Sequence, residues 1–351
     1  MGHQTFRIGI DLMGGDTSPV LLLEAVLALA QELDGKVDLL VFGTQSVINS
    51  SLDLSKNVKG ISVSEVITNE DDPLIAVRRK RDSSLCAGMR MLQKHELDAF
   101  VSAGNTGALI ACAKLCLSML PNIARPALLA LLPTKHNEVA VLDIGANVKS
   151  KVEQLVQFAS MGVAYQKTRG VQHPKVGLLN IGSEKTKGTP ELRETYEKLQ
   201  FLNRNCNKNA PIFIGNIEGR DVFQGNIDVL VTDGFTGNVF LKTAEGIATF
   251  ILDQLVETAD EECSPHLKTT LSALRKRLHY AEYPGAILCG VDGVVVKCHG
   301  DSTPRSLING INGALRLLEH GFLEKIKNQL TMDAQKFSFV QRLKKIRGSK
   351  H

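Results

Sequence analysis

The sequence predicts an α/β protein in which a mostly parallel sheet is covered by helices on both faces. A short apolar run, a loop rich in Gly, Asp, Asn, Ser and Thr, and an amphipathic helix follow one another at least six times along the chain. Strands that alternate with helices in this way form parallel sheets. The 351 residues are 43% hydrophobic and 22% charged, which is typical of a globular protein with a large core.

The first two repeats lie in the N-terminal third of the chain. RIGIDL at 7–12 is predicted as a strand that leads into MGGDTSP, where Ser18 is expected to cap a helix and Pro19 to lie in its first turn. Proline suits this position because it lacks only an N–H group that the first turn leaves unpaired. DAFVSA at 98–103 leads through GNTG into the next predicted helix.

The middle two repeats follow the same order. VAVLDIG at 139–145 is followed by ANVKS, in which Ser150 is expected to cap a helix over residues 151–166. KVGLLNI is followed by a loop containing Gly and Lys, after which Thr189 and Pro190 provide a cap and a first turn.

The last two repeats flank a different kind of segment. IDVLVT at 227–232 leads into DGFTGN, and GVVVKC at 293–298 leads into HGDSTP, where Pro304 marks a helix start. Between them, residues 246–280 are predicted to form a helix, a break at CSPH and a second helix, which together make an inserted helical hairpin. We therefore predict a catalytic α/β unit over residues 1–330 and a basic C-terminal tail over 331–351.

Composition argues against several classes of protein. The net charge is only +4, so we expect no nucleic-acid partner. No apolar stretch is long enough to span a membrane and no signal peptide is recognised, which predicts a cytoplasmic protein. The seven cysteines form no paired framework, and Cys112 and Cys116 are expected to be buried free thiols rather than metal ligands.

The loops that follow the strands are the candidate site, because ligands of such sheets bind beyond the carboxyl ends of the strands. Two loops are alike: residues 98–109 and 228–239 share Asp, Val, Gly, Thr and Gly in register, at an offset of 130 residues from 98 to 228. Glycine lets the backbone approach a ligand, and the helix that follows offers unpaired N–H groups to an anion such as phosphate. The alternative is that these loops are only tight turns with helix caps.

Charged residues in the loops allow two interpretations. Lys187, Lys297 and His299 could neutralise phosphate or donate to an oxyanion; alternatively, Lys187 could be a solvated loop lysine and His299 a capping or core histidine. The carboxylates at strand ends could cap helices or act as bases, and their spacing shows no metal cage, so no metal is expected. These carboxylates are Asp11, Asp16, Asp143 and Asp233.

The familiar nucleotide, hydrolase and metalloenzyme motifs are absent from the sequence. There is no Gly-x-Gly, no correctly ordered P-loop, no Gly-x-Ser-x-Gly and no zinc spacing, so no cofactor is expected. Two basic runs could dock an acidic partner or simply form solvated helix faces. Their basic residues are Arg78, Arg79, Lys80, Arg81, Arg275, Lys276 and Arg277.

Eight motifs, in this order, resemble those of the bacterial phosphate acyltransferases of the PlsX family. They are IGIDLMGGDTSP, AVRRKRDSS, VSAGNTGAL, RPAL, LDIGANV, VGLLNIGSEKTKG, VTDGFTGNVFLKTAEG and GVVVKCHGDS, and they extend from about residue 7 to about residue 325. The resemblance implies a fold similar to phosphotransacetylase and to the isocitrate and isopropylmalate dehydrogenases. It also implies a homodimer that associates peripherally with the inner face of the membrane.

The activity that the resemblance implies is the formation of acyl-phosphate from acyl-acyl carrier protein and inorganic phosphate, in bacterial phospholipid synthesis. The product would pass to a membrane glycerol-phosphate acyltransferase, and the basic runs would receive the acidic carrier protein. Bound phosphate would attack the thioester directly, without a covalent enzyme intermediate. Two alternatives are a dehydrogenase of the same fold and a non-catalytic regulator that binds phosphate or the acyl carrier.

The resemblance assigns roles to individual positions. Lys187 matches the lysine of a Lys-Gly loop and His299 matches a His-Gly motif, and both are predicted to be catalytic together with Asp233 and Asn238. The chain departs from the family pattern at Ser183 and at Pro284, and in HGDS. The predicted substrate or phosphate-binding residues are Asp11, Gly14, Gly15, Asp16, Ser102, Gly104, Asn105, Thr106, Gly107, Asn147, Gly188, Gly234, Thr236, Gly237 and Lys297.

Overall fold

The repeated strand–loop–helix pattern forms two structural units in the computed structural model. The first unit comprises Met1–Ser118 and Leu241–Glu319, and the second comprises Met119–Phe240 and His320–His351. The structure describes residues 5–33, 35–50, 56–204, 212–258, 269–271, 273–274, 278, 285–298 and 303–332. Part of the predicted hairpin, including the CSPH break, and nearly all of the predicted tail lie outside these residues, as do His299, Arg275, Lys276 and Arg277.

Strands and helices alternate along most of the described chain. In order they are β1 (Phe6–Asp11), α1 (Pro19–Glu32), β2 (Val37–Thr44), α2 (Gln45–Asn49), β3 (Val58–Val63), α3 (Pro73–Arg79), α4 (Ser84–Gln93), β4 (Ala99–Ser102), α5 (Thr106–Cys116), β5 (Ala127–Pro133), β6 (Glu138–Leu142), α6 (Val152–Thr168), β7 (Lys175–Leu179), α7 (Pro190–Arg204), β8 (Ile212–Ile217), α8 (Gly219–Val222), β9 (Val229–Val231), α9 (Gly234–Thr258), β10 (Ala286–Cys289), β11 (Val294–Lys297) and α10 (Pro304–Glu319). A further helix covers residues 322–332.

The first unit contains the strand order β3-β2-β1-β4-β11-β10. Neighbouring strands are parallel from β3 to β11, and only β10 runs antiparallel to its neighbour β11. The chain winds outward from β1 to β3 and then returns to β4 on the other side of β1. Because such crossovers are right-handed, α1 and α4 lie on opposite faces of the sheet. The reversal makes the space between the ends of β1 and β4 a topological switch point.

The second unit contains the strand order β5-β6-β9-β7-β8. The strands from β6 to β8 are parallel, and β5 runs antiparallel to β6. The predicted fold class, a mostly parallel sheet with helices on both faces, is therefore confirmed. The sequence pattern did not indicate β5 or β10, since neither antiparallel strand is followed by a polar loop and a helix.

The cores of both units lie between the strands and the helices that cover them. β4 and β9 are completely buried, as expected for central parallel strands. In the first unit the rings of Phe42 and Phe100 meet edge to face, with centroids 5.8 Å apart. Gly88 of α4 faces Phe100 so closely that an added Cβ would overlap the ring. Helix and sheet therefore pack tightly beneath the loops that follow β1 and β4.

Two of the predicted helix caps are wrong in detail. Ser18 occupies the N-cap position of α1, but its side chain makes no capping hydrogen bond, and Pro19 begins the helix as predicted. Helix α6 begins at Val152 with Lys151 as its N-cap, and the Gln154 side chain accepts from the Lys151 N–H at 2.7 Å. Ser150 lies one residue earlier, and its hydroxyl has no hydrogen-bond partner within the described part of the chain.

Candidate functional site

Three neighbouring strands of the first unit end in polar side chains. Asp11 ends β1, Ser102 ends β4 and Lys297 ends β11, and the strand register pairs Ser102 with both of the others. All three positions come from the sequence prediction, and β1 and β4 flank the switch point of the sheet. This is where open α/β sheets bind their ligands.

Asp11 is the centre of a buried hydrogen-bond chain. Its Oδ2 accepts from the Ser102 hydroxyl at 2.8 Å, and its Oδ1 accepts from the Met13 N–H at 3.0 Å. The Ser102 oxygen in turn accepts from the Gly104 N–H at 3.1 Å. Asp11 is only 1% exposed, and this desolvation raises the pKa of its carboxyl group. The carboxylate therefore fixes the start of two loops and is shielded from solvent.

Lys297 is also buried against the same loop. Its ammonium donates to the carbonyl oxygen of Ala103 at 3.3 Å and to that of Cys298. Its positive charge opposes the rise in the pKa of Asp11, which lies close by. Lys297, predicted to bind phosphate, thus has a structural contact with the backbone of the Ala103–Gly107 loop.

Asn105 and Gly107 anchor the N-terminus of α5. The Asn105 Oδ1 accepts from the Ala108 N–H at 3.0 Å, which caps the helix, and its Nδ2 donates to the carbonyl oxygen of Thr68 at 3.2 Å. A Cβ added to Gly107 would lie 2.6 Å from Pro73 Cγ. Thr106, between them, is exposed. The amide of Asn105 therefore holds the loop in place, and Thr106 presents its side chain to solvent.

The loop after β1 contains the predicted glycines Gly14 and Gly15. Gly14 has a φ of 77°, and an added Cβ would overlap the Ile67 carbonyl oxygen, so only glycine fits there. Asp16 is exposed and accepts from Asn69 Nδ2 at 3.3 Å. This loop is thus fixed by close backbone packing on the segment around Ile67.

In the second unit, the Asp143 carboxylate organises the loop that follows β6. Its side chain is completely buried, and desolvation raises its pKa while the hydrogen bonds around it oppose the rise. The donors to its two oxygens are the N–H groups of Leu128, Gly145, Ala146 and Asn147 and the Asn147 side-chain amide, at 2.7–3.2 Å. A carboxylate surrounded in this way fixes the backbone of residues 143–147.

The first turn of α9 packs directly on that loop. The Gly234 N–H donates to the Asn147 carbonyl oxygen at 2.9 Å, and a Cβ added at Gly234 would lie 2.5 Å from that oxygen. A Cβ added at Gly237 would overlap the Asp143 carbonyl oxygen. Both glycines are therefore required by close backbone approach.

Asp233 and its neighbours separate into capping and exposed groups. The Asp233 carboxylate accepts from the Thr236 N–H and from the Thr236 hydroxyl, both at 2.9 Å, which caps α9. Thr236 and Asn238 are exposed, and Asn238 lies beside Gly145, whose added Cβ would be 3.9 Å from its side chain. The structure therefore assigns Asp233 a capping contact, whereas Asn238 presents its amide at the surface.

Two buried asparagines hydrogen-bond to the backbone of the loop that contains Lys187. Asn180 Nδ2 donates to the Lys187 carbonyl oxygen at 3.2 Å, and Asn216 Nδ2 donates to that of Glu184 at 2.8 Å. Gly188, with a φ of 84°, packs against Asn180. The Lys187 ammonium lies 3.9 Å from Glu184 Oε1, and its side chain is 46% exposed. The loop backbone is thus fixed while the ammonium faces solvent.

Sequence reasoning missed Asn180 and Asn216. Asn180 could have been found, because it directly follows β7 as the other candidates follow their strands. Asn216 lies within β8, and no feature of the sequence marks it.

The first basic run has two kinds of residue. Arg78, Arg79 and Arg81 are exposed. Lys80 instead forms an ion pair with Asp71 at 2.6 Å and donates to the Val66 carbonyl oxygen at 2.9 Å. The three arginines therefore form an exposed positive patch, which we call the arginine patch, and Lys80 ties the segment to its neighbours.

The described residues lack two kinds of feature. They contain no group of three or more His, Cys, Asp or Glu side chains that could hold a metal ion. None of their helices is long and apolar enough to cross a membrane.

Two helices, α5 and α9, thus begin at loops that buried carboxylates and glycines hold rigid. A family model described as "Fatty acid synthesis protein" matches residues 6–325 of the chain. The chain belongs to this family.

Curated relatives agree with the family assignment, and a solved structure shares the fold. The chain is 40% identical to a phosphate acyltransferase of Chlamydia abortus, over 93% of this chain and 99% of the relative. It is 39% identical to a phosphate acyltransferase of Thermoanaerobacter pseudethanolicus, over 92% and 97%. A phosphotransacetylase from Streptococcus pyogenes has a similar fold, with a TM-score of 0.61 over 90% of this chain and 94% of that one, at 15% identity. The predicted similarity to the phosphotransacetylase fold is confirmed.

Proposed function

We propose that this family member transfers the acyl group of acyl-acyl carrier protein to inorganic phosphate. The products are acyl-phosphate and the free thiol of the carrier. The observation that carries this proposal is the match, over nearly the whole chain, to relatives that are themselves phosphate acyltransferases. The carrier protein as donor is supported by the family description and by the exposed arginine patch, which suits an acidic partner.

The proposed chemistry is a direct attack of a phosphate oxygen on the thioester carbonyl. The carbonyl oxygen becomes an oxyanion, and collapse of the tetrahedral intermediate expels the carrier thiolate. Phosphate is already largely a dianion at neutral pH, so the route requires no covalent enzyme intermediate, no metal and no cofactor. The reaction instead requires positioning of the reactants, which lowers the activation barrier by roughly 7–11 kcal/mol in favourable cases. It also requires preorganised hydrogen-bond donors, each of which contributes roughly 3–4 kcal/mol.

Donors of this kind occur at the rigid loops of each unit. The first turns of α5 and α9 offer N–H groups, and the Asn105 and Asp233 caps keep those turns in place. Lys187 and Asn238 are exposed beside anchored backbone, so we propose them as the side chains that touch the reacting groups. His299, which lies outside the described residues, keeps its proposed role from the family resemblance. Asp233 is proposed to orient Thr236 rather than to remove a proton.

The first test is a reconstitution with purified protein. Acyl-acyl carrier protein is incubated with and without phosphate while free thiol and acyl-phosphate are measured. We expect both products to appear together and only with phosphate. Carrier binding without either product would support a binding regulator, and reduction of a nicotinamide cofactor would support a dehydrogenase.

A second test concerns Lys187. We expect Lys187→Ala to lower kcat roughly 100-fold, as loss of one oxyanion donor does. Unfolding free energy should change by less than about 0.5 kcal/mol, because the ammonium is exposed and its ion pair is weak. Lys185→Ala is the matched control, since Lys185 is an exposed lysine of the same loop. Wild-type turnover of Lys187→Ala at saturating phosphate would contradict the assignment.

The assembly proposals rest on the resemblance. We propose a homodimer that associates peripherally with the membrane and delivers its product to a membrane glycerol-phosphate acyltransferase. Sedimentation of the purified protein with and without anionic vesicles measures both the dimer and the membrane association.

A further inference from the structure

Three thiols meet between α4 and α5 in the first unit. The Cys112 sulfur lies 3.7 Å from the Cys86 sulfur and 3.9 Å from the Cys116 sulfur. Cys86 belongs to α4, whereas Cys112 and Cys116 belong to α5. All three are free thiols. The acyl-transfer proposal does not use them.

The three thiols differ in their access to solvent. Cys86 and Cys112 are buried, and Cys116, the last residue of α5, is half-buried. A small oxidant can therefore reach Cys116 first. A thiol reacts with peroxide as its thiolate, and nearby positive charge favours that form.

The surroundings favour a thiolate at either neighbour of Cys112. A hydrogen bond from the Cys112 thiol lowers the pKa of Cys116 or of Cys86 to about 7, and the charge of Arg90 acts in the same direction on both. The half-buried position of Cys116 is what distinguishes it from the buried Cys86. The hydrogen bonds to its neighbours and its own burial raise the pKa of Cys112. Cys112 has one hydrogen, so it can stabilise a thiolate at only one neighbour at a time.

We propose that Cys86, Cys112 and Cys116 form a peroxide-sensitive site whose product is a disulfide between Cys86 and Cys112. Peroxide oxidises the Cys116 thiol to a sulfenic acid and is reduced to water. Cys112 then loses its proton and its sulfur attacks the Cys116 sulfur; a disulfide forms, and the hydroxide that leaves Cys116 takes up a proton to become the second water. The Cys86 thiol attacks Cys112 in that disulfide and returns Cys116 to its thiol form. In total, hydrogen peroxide takes two hydrogens from two thiols and becomes two waters.

The geometry explains why the disulfide passes from the Cys112–Cys116 pair to the buried Cys86–Cys112 pair. Residues four apart on a helix have Cβ atoms about 5–6 Å apart, whereas a disulfide requires about 3.5–4.5 Å. A bond between Cys112 and Cys116 is therefore strained, and strained disulfides exchange readily. Cys86 and Cys112 lie on different helices with their sulfurs 3.7 Å apart, so the spacing within one helix does not constrain their Cβ atoms.

The disulfide would join two helices that begin at the loops of the first unit. The Ser84 hydroxyl, in the first turn of α4, hydrogen-bonds to Asp11 and lowers the pKa of that carboxyl. Helix α5 begins at the Asn105 cap. A covalent bond between α4 and α5 therefore acts on both anchors of this loop cluster, and we expect it to slow acyl transfer reversibly. Only this activity effect rests on the proposed function.

The test uses the full-length protein and hydrogen peroxide. Samples are taken over time, alkylated, digested and mapped by mass spectrometry under non-reducing conditions. We expect a peptide pair joined through Cys86 and Cys112 that dithiothreitol separates. Cys116→Ser should slow its formation, and Cys86→Ala should remove it. Cys289→Ala, a buried cysteine of β10, is the matched control and should leave it unchanged.

A different product would overturn the proposal. Sulfinic acid at Cys116 without the joined peptide, or a disulfide that instead uses Cys206 or Cys263, would each do so. Formation at the wild-type rate in Cys116→Ser would exclude the proposed entry point. If the joined peptide forms but acyl transfer is unchanged or absent, the thiol site stands and the fault lies with its coupling to activity or with the proposed function.

Discussion

Asp11 and Asp143 show how a single buried carboxylate can fix a functional loop. Asp11 ends β1 and Asp143 directly follows β6. Each carboxylate accepts hydrogen bonds from backbone N–H groups of the loop that follows its strand. Neither is exposed, so each makes its contacts with the loop that it positions rather than with solvent. For Asp143, loss of these hydrogen bonds would leave several buried N–H groups unpaired, at about 1–3 kcal/mol each.

Burial of Asp11 has a consequence for the pH dependence of stability. Desolvation raises its pKa in the folded state above 3.8, the ordinary value for aspartate. The folded protein therefore binds the proton more tightly than the unfolded chain, and the stability gained from this is lost as the pH rises through the folded pKa. As the pH rises through the folded pKa of Asp11, we expect Asp11→Asn to become more stable relative to wild type. At higher pH the difference in stability should be constant. Melting temperatures of both proteins from pH 4 to pH 8 provide the measurement, and a difference that does not vary with pH would refute the desolvation argument.

The sequence predicts which residues lie at strand ends, but it does not predict whether their side chains are buried or exposed. Asp11, Ser102 and Lys297 were correctly placed at neighbouring strand ends because apolar runs mark the strands. Their burial depends on partners that are distant in sequence, such as Ser102, which is 91 residues from Asp11. No local pattern of residue types reports such a contact, and the expected ligand contacts of these residues stay a prediction.

At the scale of single elements, helix α9 contains two glycines whose surroundings differ. Gly237 packs on the Asp143 carbonyl oxygen, whereas Gly246 in the same helix has no atom within 4 Å of an added Cβ. We expect Gly237→Ala to destabilise the protein by about 1–3 kcal/mol, because backbone atoms would have to move. Gly246→Ala should stabilise it by about 0.5–1 kcal/mol, since alanine favours the helix. Urea unfolding measures both changes, and equal effects of the two substitutions would contradict the close packing.

At the same scale, regular elements were easier to predict than their boundaries. The strands before polar loops were found because a short apolar run followed by Gly and Asp is distinctive. β5 and β10 lack that signal, and their direction is set by pairing with β6 and β11. Helix α9 runs without interruption from Gly234 to Thr258, so the first part of the predicted hairpin is continuous with the helix of the DGFTGN loop.

For the whole molecule, the arginine patch predicts salt-dependent recognition of the carrier protein. Replacing Arg78, Arg79 and Arg81 by Gln should raise the KM for the acyl carrier at low salt and matter less at high salt, because screening weakens electrostatic steering. The control replaces three exposed lysines, Lys36, Lys56 and Lys59, by Gln, which removes the same amount of positive charge. Steady-state kinetics over a range of ionic strength measure the effect. A salt-independent rise in KM would indicate altered packing instead.

The packing of α9 on the Asp143 loop also constrains directed evolution of the site. Gly234 and Gly237 face backbone oxygens and tolerate no side chain, whereas Phe235 and Val239 are 64% and 51% exposed. A mutant library restricted to these two positions would vary the surface next to Asn238 and leave the buried scaffold intact. Under the proposed function, altered acceptor preference is therefore best sought at this exposed face of the helix.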